Sequence, residues 1–418
     1  MHPNALLEHT TELLHRVLQF KQAADAIVSD FFREHRALGT RERHSLAETT
    51  YAVLRKRLLF QHLAQSGKGE FERRLAILGW QGNEGFLRAA LSDAEREWLA
   101  RVDADDRTAL PERLRHNLPE WLADRLKPVL GDEFWPFIES TEVAAPLDLR
   151  VNTFKAKRET VQAEFMAAGI EALPTPWSPM GLRIDAKPAL HKLEVFLRGD
   201  VEVQDEGSQL LALLTGAKRG EMVVDFCAGA GGKTLALGAD MRNTGRLYAF
   251  DTSGHRLAAL KPRLARSSLS NVHPVQIAHE RDDRIKRLAG KIDRVLVDAP
   301  CSGLGTLRRN PDLKWRQSPQ SIAEMRVKQA AILANAARLV KPGGRLVYAT
   351  CSLLGVENEE VAAEFSAAHA DFEPLPAAEA LATAHVAEAG SLVSGDFMRL
   401  WPHRHRTDGF FGAVWTRR

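Results

Sequence analysis

The chain has 418 residues, of which 44% are hydrophobic and 27% are charged, and its formal net charge is +3. This length predicts two or three domains, and the composition is typical of globular proteins, which excludes disordered and fibrous classes. The weak positive charge is compatible with an anionic partner but does not require one. The N-terminus lacks the pattern of a secretory signal and no apolar segment is long enough to span a bilayer, so we expect a cytoplasmic protein without membrane association.

Residues 1–144 are predicted to form an all-helical domain. Apolar residues recur at helical spacing from Leu13 to Phe32, and Thr40 is predicted to cap the next helix. Basic residues are frequent in this region, at Arg33, Arg36, Arg41, Arg43, Arg55, Lys56 and Arg57. They form either an ordinary solvated helix face or a surface that contacts nucleic acid, and the sequence alone does not decide between these two readings.

The pattern changes to short strands and helices after residue 144. Residues 145–209 are predicted to form a small α/β subdomain. In residues 210–418, apolar strands alternate with helices, which predicts a parallel sheet covered by helices on both faces, in a Rossmann-like α/β fold. The predicted strands of this larger domain are 222–226, 247–250, 294–297 and 345–348.

A glycine-rich turn follows the first of these strands and consists of Cys227, Ala228, Gly229, Ala230, Gly231, Gly232 and Lys233. Such a turn lets backbone N–H groups approach a ligand closely. A P-loop would need glycine at position 227, and a dinucleotide fingerprint would need a third glycine at position 234. Asp251 ends the next strand, at about the spacing of a carboxylate that binds ribose hydroxyls. The turn and the acid together therefore favour an S-adenosylmethionine site.

Two cysteines follow the third and fourth strands, Cys301 after Asp298-Ala-Pro and Cys351 after Ala349-Thr. Because the carboxyl ends of parallel strands lie at one edge of a sheet, we expect both thiols to face one cleft. A single buried cysteine is usually inert packing, but two at equivalent strand ends favour thiol chemistry. Three cysteines in a chain of this length also exclude a disulfide framework.

Together these motifs resemble the Nop/Sun family of RNA cytosine C5-methyltransferases, over roughly residues 145–418. The resemblance includes the glycine turn, the Pro-Cys and Thr-Cys motifs, and the segments 203–209, 308–315, 357–359 and 408–411. It implies a class I S-adenosylmethionine-dependent methyltransferase fold, in which Cys351 bonds covalently to C6 of the target cytosine and Cys301 assists product release. The residues by themselves do not rank the two thiols.

The resemblance also implies the cofactor contacts. Residues 227–233, Asp251 and Arg256 would hold S-adenosylmethionine, and Asp298 would lie between the cofactor and the base. Two positions depart from the family pattern. Ala230 stands where the family usually has proline, and His279 stands where an acid often meets the adenine amino group, so that contact is left to His279, Glu280 or Asp282. The family chemistry requires a thiolate, an acid and a methyl donor, and we expect no metal site.

The helical domain is similar to the NusB-type RNA-binding module of the bacterial Sun-type enzymes, on the segments 24–25, 32–33 and 38–43. This similarity implies an RNA substrate, namely 16S rRNA, and we expect a monomer. One alternative is a tRNA cytosine C5-methyltransferase of the same family. Another is a catalytically silent RNA-binding factor in ribosome assembly, which the paired cysteines disfavour.

Overall fold

The computed structural model describes residues 2–186 and 188–418, and the chain divides into two compact units. One unit contains the residues up to Ala144 together with Thr306–Pro319, and the other contains Ala145–Gly305 and Gln320–Arg418. In the described part of the chain, no helix is both long and apolar enough to cross a membrane.

The first unit is helical, as predicted from its apolar spacing. Its helices bury one apolar face each, with Leu7, Leu14 and Val53 fully buried in one shared core. Their bounds are Pro3–Val17, Ala24–Glu34, Thr40–Arg55, Arg57–Ala64, Phe71–Leu78, Glu84–Ala90, Asp93–Ala104, Glu112–His116, Glu120–Leu130, Phe134–Glu142 and Leu313–Arg316.

The predicted cap at Thr40 is wrong by one position. Gly39 precedes the helix, Thr40 is its first residue, and the Glu42 carboxylate accepts a hydrogen bond from the Gly39 backbone N–H at 2.6 Å. The acidic side chain in the first turn therefore satisfies the donor that a capping hydroxyl would have left free.

The segment 306–319 belongs to the helical unit, although the predicted boundaries place it in the catalytic domain. Its residues cover the end of helix Thr40–Arg55. The Trp315 indole donates to the Leu54 carbonyl oxygen at 2.8 Å, and Lys314 Nζ donates to the Arg55 carbonyl oxygen at 2.8 Å. These carbonyls end a helix and have no acceptor role within it, so side chains from a distant segment satisfy them. Periodicity along the chain does not reveal that this distant segment belongs to the helical unit.

Lys314 gives the helical unit a predictable pH dependence. Burial lowers the pKa of Lys314 to about 7, from the ordinary value of 10.5. Between these two values the unfolded chain holds a proton that the folded chain has lost. The stability that depends on a deprotonated Lys314 is therefore fully present above pH 10.5 and is lost as the pH falls toward 7. We expect the free energy of unfolding to rise by about 2 kcal/mol from pH 7 to pH 9.

Urea titrations at both pH values, followed by tryptophan fluorescence, measure this rise. Lys314→Met should flatten it, whereas Lys21→Met, at an exposed position, should leave it unchanged. An identical pH dependence in Lys314→Met and the parent protein would contradict the prediction.

Four short strands form an antiparallel sheet in the second unit, in the order β2-β3-β1-β4. Helices Arg158–Ala167 and Glu194–Leu197 accompany this sheet, and Val161, Phe165 and Val195 pack with its buried residues. The strands are β1 (Leu147–Val151), β2 (Leu173–Pro174), β3 (Gly181–Ile184) and β4 (Val201–Val203).

The larger sheet of this unit has the order β11-β12-β13-β9-β8-β5-β6-β7, with β10 paired to β13. Strands β5 to β9 pair in parallel, which confirms the four predicted strands and adds β7, a strand that the sequence analysis did not predict. The C-terminal strands β10 to β13 pair in antiparallel fashion. The sheet is therefore mixed rather than all parallel. The bounds are β5 (Met222–Asp225), β6 (Arg246–Asp251), β7 (Val272–Gln276), β8 (Ile292–Asp298), β9 (Val340–Thr350), β10 (Phe372–Pro374), β11 (Val393–Ser394), β12 (Phe397–Leu400) and β13 (Phe410–Arg417).

Helices cover this sheet and complete the predicted Rossmann-like fold. Leu210, Leu235 and Leu260 are buried beneath them in one apolar core. The helices are Glu206–Thr215, Gly232–Asp240, Gly254–Ser267, Asp283–Lys286, Pro319–Ala337, Glu359–Ala368, Ala377–Thr383 and Pro402–His405.

Candidate active site

The glycine turn connects β5 to helix Gly232–Asp240 at the carboxyl edge of the sheet. Gly229 and Gly231 have φ angles of 55° and 83°, in the left-handed region that favours glycine. A Cβ atom on Gly231 would also lie 2.2 Å from a methyl carbon of Leu260, whereas one on Gly229 would meet nothing within 4 Å. The turn therefore packs tightly on its inner side and leaves open space at Gly229.

Asp251 lies at the end of β6 and holds this turn. Its carboxylate accepts hydrogen bonds from the backbone N–H of Gly229 at 2.8 Å and of Ser253 at 2.7 Å. A carboxylate has about four lone-pair positions, so about two remain for a ligand. Arg256 Nη1 lies 3.8 Å from Asp251 Oδ2, and the Arg256 side chain is 64% exposed. Arg256 thus lies beside the acid without a hydrogen bond to it.

The loop after β7 carries the three candidates for an adenine contact. His279 is exposed, and its Nδ1 accepts a hydrogen bond from the Arg281 backbone N–H at 3.1 Å. The Asp282 carboxylate caps helix Asp283–Lys286 by accepting from the Arg284 backbone N–H, and it also accepts from the Ala278 backbone N–H, each at 2.9 Å. These backbone hydrogen bonds lower the pKa of Asp282. Asp282 accepts two backbone hydrogen bonds within the loop and His279 accepts one, so both side chains already have partners there.

Cys301 and Cys351 lie next to each other, with their sulfur atoms 3.4 Å apart. The spacing follows from the sheet, because β8 and β9 are parallel neighbours in which Asp298 pairs with Ala349. Both cysteines are free and partly buried. The hydrogen bond with Cys351, burial and the nearby Glu357 carboxylate raise the pKa of the Cys301 thiol.

Cys227, the third cysteine, has an environment that disfavours ionisation of its thiol. Burial raises the pKa of Cys227 well above its ordinary value, and the carboxylates of Asp225, Asp298 and Asp251 raise it further. Cys227 therefore remains a protonated thiol at the start of the glycine turn.

Lys233 and Asp298 form an ion pair at the same edge, with Nζ 2.7 Å from Oδ2. Burial alone would lower the pKa of Lys233, but the Asp298 carboxylate raises it. Lys233 thus contributes a positive charge at this edge of the sheet.

The loop after Cys301 requires close approach of three backbone segments. The Gly305 backbone N–H donates to the Cys351 carbonyl oxygen, and the Gly305 oxygen accepts from the Gly409 backbone N–H, both at 2.8 Å. A Cβ atom on Gly305 would lie 2.0 Å from the Gly409 oxygen. Segment 408–411 therefore supports both cysteine loops.

Glu357 is a site residue to which the sequence assigned no role. It is fully buried, and its carboxylate accepts hydrogen bonds from Ser302 and Ser352, the residues directly after the two cysteines. The available signal was an acidic residue directly after the apolar segment 353–356, in a chain region that also carries Cys351.

The predicted basic surface of the helical unit is smaller than the sequence suggests. Arg55 is 8% exposed and donates to the Arg308 carbonyl oxygen at 2.9 Å. The Arg57 guanidinium lies over the rings of Phe20 and Trp315, at 4.8 and 5.0 Å from their centroids. Both side chains pack within the helical unit, so neither interpretation from the sequence, a solvated face or a nucleic-acid contact, describes these two positions. Exposed positions remain at Arg33, Arg36 and Arg41.

Comparison with known protein families gives two matches. A family described as 16S rRNA methyltransferase RsmB/F matches residues 212–416, and a ferredoxin-like domain of RsmF/B-like methyltransferases matches residues 118–191. The second match begins within the helical unit, ahead of β1.

Curated relatives support the same family. The chain is 35% identical over 306 residues to a probable ribosomal RNA small subunit methyltransferase B of Synechocystis, covering 72% of this chain and 66% of the relative. It is 32% identical over 337 residues to the protein of the same name from Bacillus subtilis, covering 80% of this chain and 74% of the relative.

Solved structures share the fold. The crystal structure of PH0851 aligns with a TM-score of 0.82 at 28% identity, covering 100% of this chain and 99% of that one. A methyltransferase homologue from Pyrococcus horikoshii aligns with a TM-score of 0.64 at 29% identity, covering 75% of this chain and 100% of that one.

Proposed function

Because the chain belongs to the RsmB/F family of 16S rRNA methyltransferases, we propose that it transfers the methyl group of S-adenosylmethionine to C5 of a cytosine in small-subunit ribosomal RNA. The observation that carries this proposal is the pair of free thiols 3.4 Å apart, at the ends of two adjacent parallel strands. Methyl transfer to an amino group or a hydroxyl needs no thiol, whereas C5 of cytosine is too weakly nucleophilic to react without one.

In the proposed reaction, the Cys351 thiolate adds to C6 and forms an S–C6 bond. The displaced electron pair moves toward N3, where a carboxyl group assists protonation, and C5 becomes nucleophilic. S-adenosylmethionine supplies an electrophilic methyl group when bound. A base then takes the proton from C5, the C5–C6 double bond re-forms, and the S–C6 electron pair returns to Cys351. The proton on N3 returns to the carboxylate, which leaves a neutral 5-methylcytosine. We assign assistance of this elimination to Cys301, whose sulfur lies beside the sulfur that must leave.

The residues around the glycine turn fit S-adenosylmethionine. The turn leaves open space at Gly229, and the Asp251 carboxylate retains acceptor capacity for ribose hydroxyls. Asp298, paired with Lys233, lies on the next parallel strand toward the two thiols. We propose that Asp298 is the carboxyl group that faces both the cofactor and the target cytosine.

One assay tests the proposed function. The protein is incubated with S-adenosylmethionine carrying a labelled methyl group and with separated rRNA and tRNA fractions, and 5-methylcytosine is then mapped. We expect label at a cytosine of small-subunit rRNA. Label in tRNA alone would replace the substrate assignment, and no transfer to any fraction would favour a silent assembly factor.

Asp251→Ala should weaken S-adenosylmethionine binding. The substitution removes an acceptor for the ribose hydroxyls and the anchor of the Gly229 N–H, at a cost of about 1–3 kcal/mol, so Kd should rise by about 5- to 150-fold. Isothermal titration calorimetry measures this Kd. His255→Ala, at a neighbouring exposed position, is the matched control and should bind normally. Equal affinity in Asp251→Ala would remove Asp251 from the cofactor site.

A further inference from the structure

Glu357 contacts both loops that carry the paired thiols. Its carboxylate accepts hydrogen bonds from the Ser302 backbone N–H at 2.9 Å and from the Ser302 hydroxyl at 2.5 Å. The Ser352 hydroxyl donates to the same carboxylate. Ser302 directly follows Cys301 and Ser352 directly follows Cys351, so one side chain is bonded to the neighbour of each thiol.

The carboxylate is itself held in place by the surrounding elements. Gln329, on helix Pro319–Ala337, donates to Glu357 Oε1 at 3.0 Å and to the Pro300 carbonyl oxygen at 2.9 Å. The Tyr348 hydroxyl donates to the backbone oxygen of Glu357 at 2.6 Å. These hydrogen bonds restrict the movement of Glu357. The two loops that carry the cysteines are therefore positioned by their bonds to the Glu357 carboxylate.

Burial of a carboxylate is costly, and a residue that only filled space here would be apolar. What the carboxylate provides is several acceptor positions on one rigid group, which a single side chain of another type does not offer. It joins two segments that are far apart in the sequence. The fixed quantity is then the separation of the two sulfur atoms, which is 3.4 Å.

We propose that Glu357 is a positioning residue that sets the separation of the Cys301 and Cys351 thiols by bonding the serine after each of them. The catalytic meaning of this role rests on the proposed function, since it assumes that both thiols act on the same cytosine. The geometric role does not rest on it.

Glu357→Gln is the informative variant, because it preserves shape while replacing one acceptor oxygen with an amide donor that faces two hydroxyls. The first readout is the equilibrium between the thiol pair and oxidised glutathione. Cys301 and Cys351 form a disulfide and lose their hydrogens while one glutathione disulfide is reduced to two thiols. Because disulfide formation needs close and correctly directed sulfurs, this equilibrium reports thiol separation.

We expect Glu357→Gln to lower this equilibrium constant by about tenfold, measured by mass spectrometry of the cross-linked peptides. The second readout is catalysis, in which kcat should fall by about 30-fold or more while KM for S-adenosylmethionine changes by less than about twofold. Glu360→Gln, at an exposed residue three positions along that pairs with Arg326, is the matched control and should change neither readout.

A Glu357→Gln protein with the parental disulfide equilibrium and parental kcat would overturn the proposal. If this variant unfolds at the assay temperature, Ser352→Ala replaces it as the test. Ser352→Ala removes one of the hydrogen bonds to Glu357 and leaves the bonds with Ser302. A parental disulfide equilibrium in Ser352→Ala would also overturn the proposal. If neither the parent nor the control methylates RNA, the proposed function fails, and the disulfide readout still tests the positioning role.

Discussion

Cys351→Ser should abolish methylation, with a loss of about 1,000-fold or more in the rate of a single turnover. A serine hydroxyl is almost never ionised near neutral pH, whereas cysteine thiols as a class ionise far more readily, and the thiolate is the species that adds to C6. The Lys233 ammonium, paired with Asp298, lies at this edge of the sheet and would not ionise a hydroxyl to a useful extent. The measurement is transfer of labelled methyl to rRNA with enzyme in excess.

The control for this variant is cofactor binding. Cys351 makes no contact with the glycine turn among the hydrogen bonds of the described residues, so calorimetry should give the parental affinity for S-adenosylmethionine in Cys351→Ser. Residual methylation within about tenfold of the parent would show that Cys351 is not the nucleophile.

Cys301→Ser should accumulate a covalent protein–RNA complex. Attack by Cys351 and methyl transfer remain available in this variant, but elimination loses the thiol that lies beside the departing sulfur. The S–C6 bond then persists, and most of the enzyme should migrate with RNA in denaturing electrophoresis after one turnover. Multiple-turnover methylation should fall by about 100-fold or more, in line with loss of a general acid–base group.

The double variant Cys301→Ser/Cys351→Ser is the control, and it should form no complex. A complex that appears with Cys351→Ser and not with Cys301→Ser would reverse the two roles. Absence of a complex from both single variants, with methylation intact, would contradict the covalent mechanism.

The sequence by itself determined the order of the elements and the identity of the candidate chemistry. Apolar residues that recur every 3.6 positions or in continuous runs form patterns that depend only on neighbours in the chain. The helical first unit and the parallel strands β5, β6, β8 and β9 were therefore predictable, whereas β7 was not predicted. The glycine turn, Asp251 and the two cysteines were predictable for the same reason. Each lies at or shortly after the end of a strand, and parallel strands bring such positions to one edge.

Only the tertiary structure decided which distant residues meet. From their sequence pattern Arg55 and Arg57 were interpreted as surface charges. In the structure Arg55 donates to the Arg308 carbonyl oxygen and Arg57 stacks on Trp315. The antiparallel pairing of β13 with β9 likewise depends on a strand that returns from the end of the chain. A hydrophobic pattern shows that a face is buried and does not show which segment buries it.

The same limit applies to Glu357 and to the thiol pair. A glutamate in a sequence is by default a solvated charge, and only the meeting of Ser302, Ser352 and Gln329 around it explains its full burial. The two cysteines were expected at one edge, but their separation of 3.4 Å is set by the register of β8 with β9 and by these hydrogen bonds. Distances of this kind are determined by contacts between residues far apart in the chain, because no local pattern encodes them.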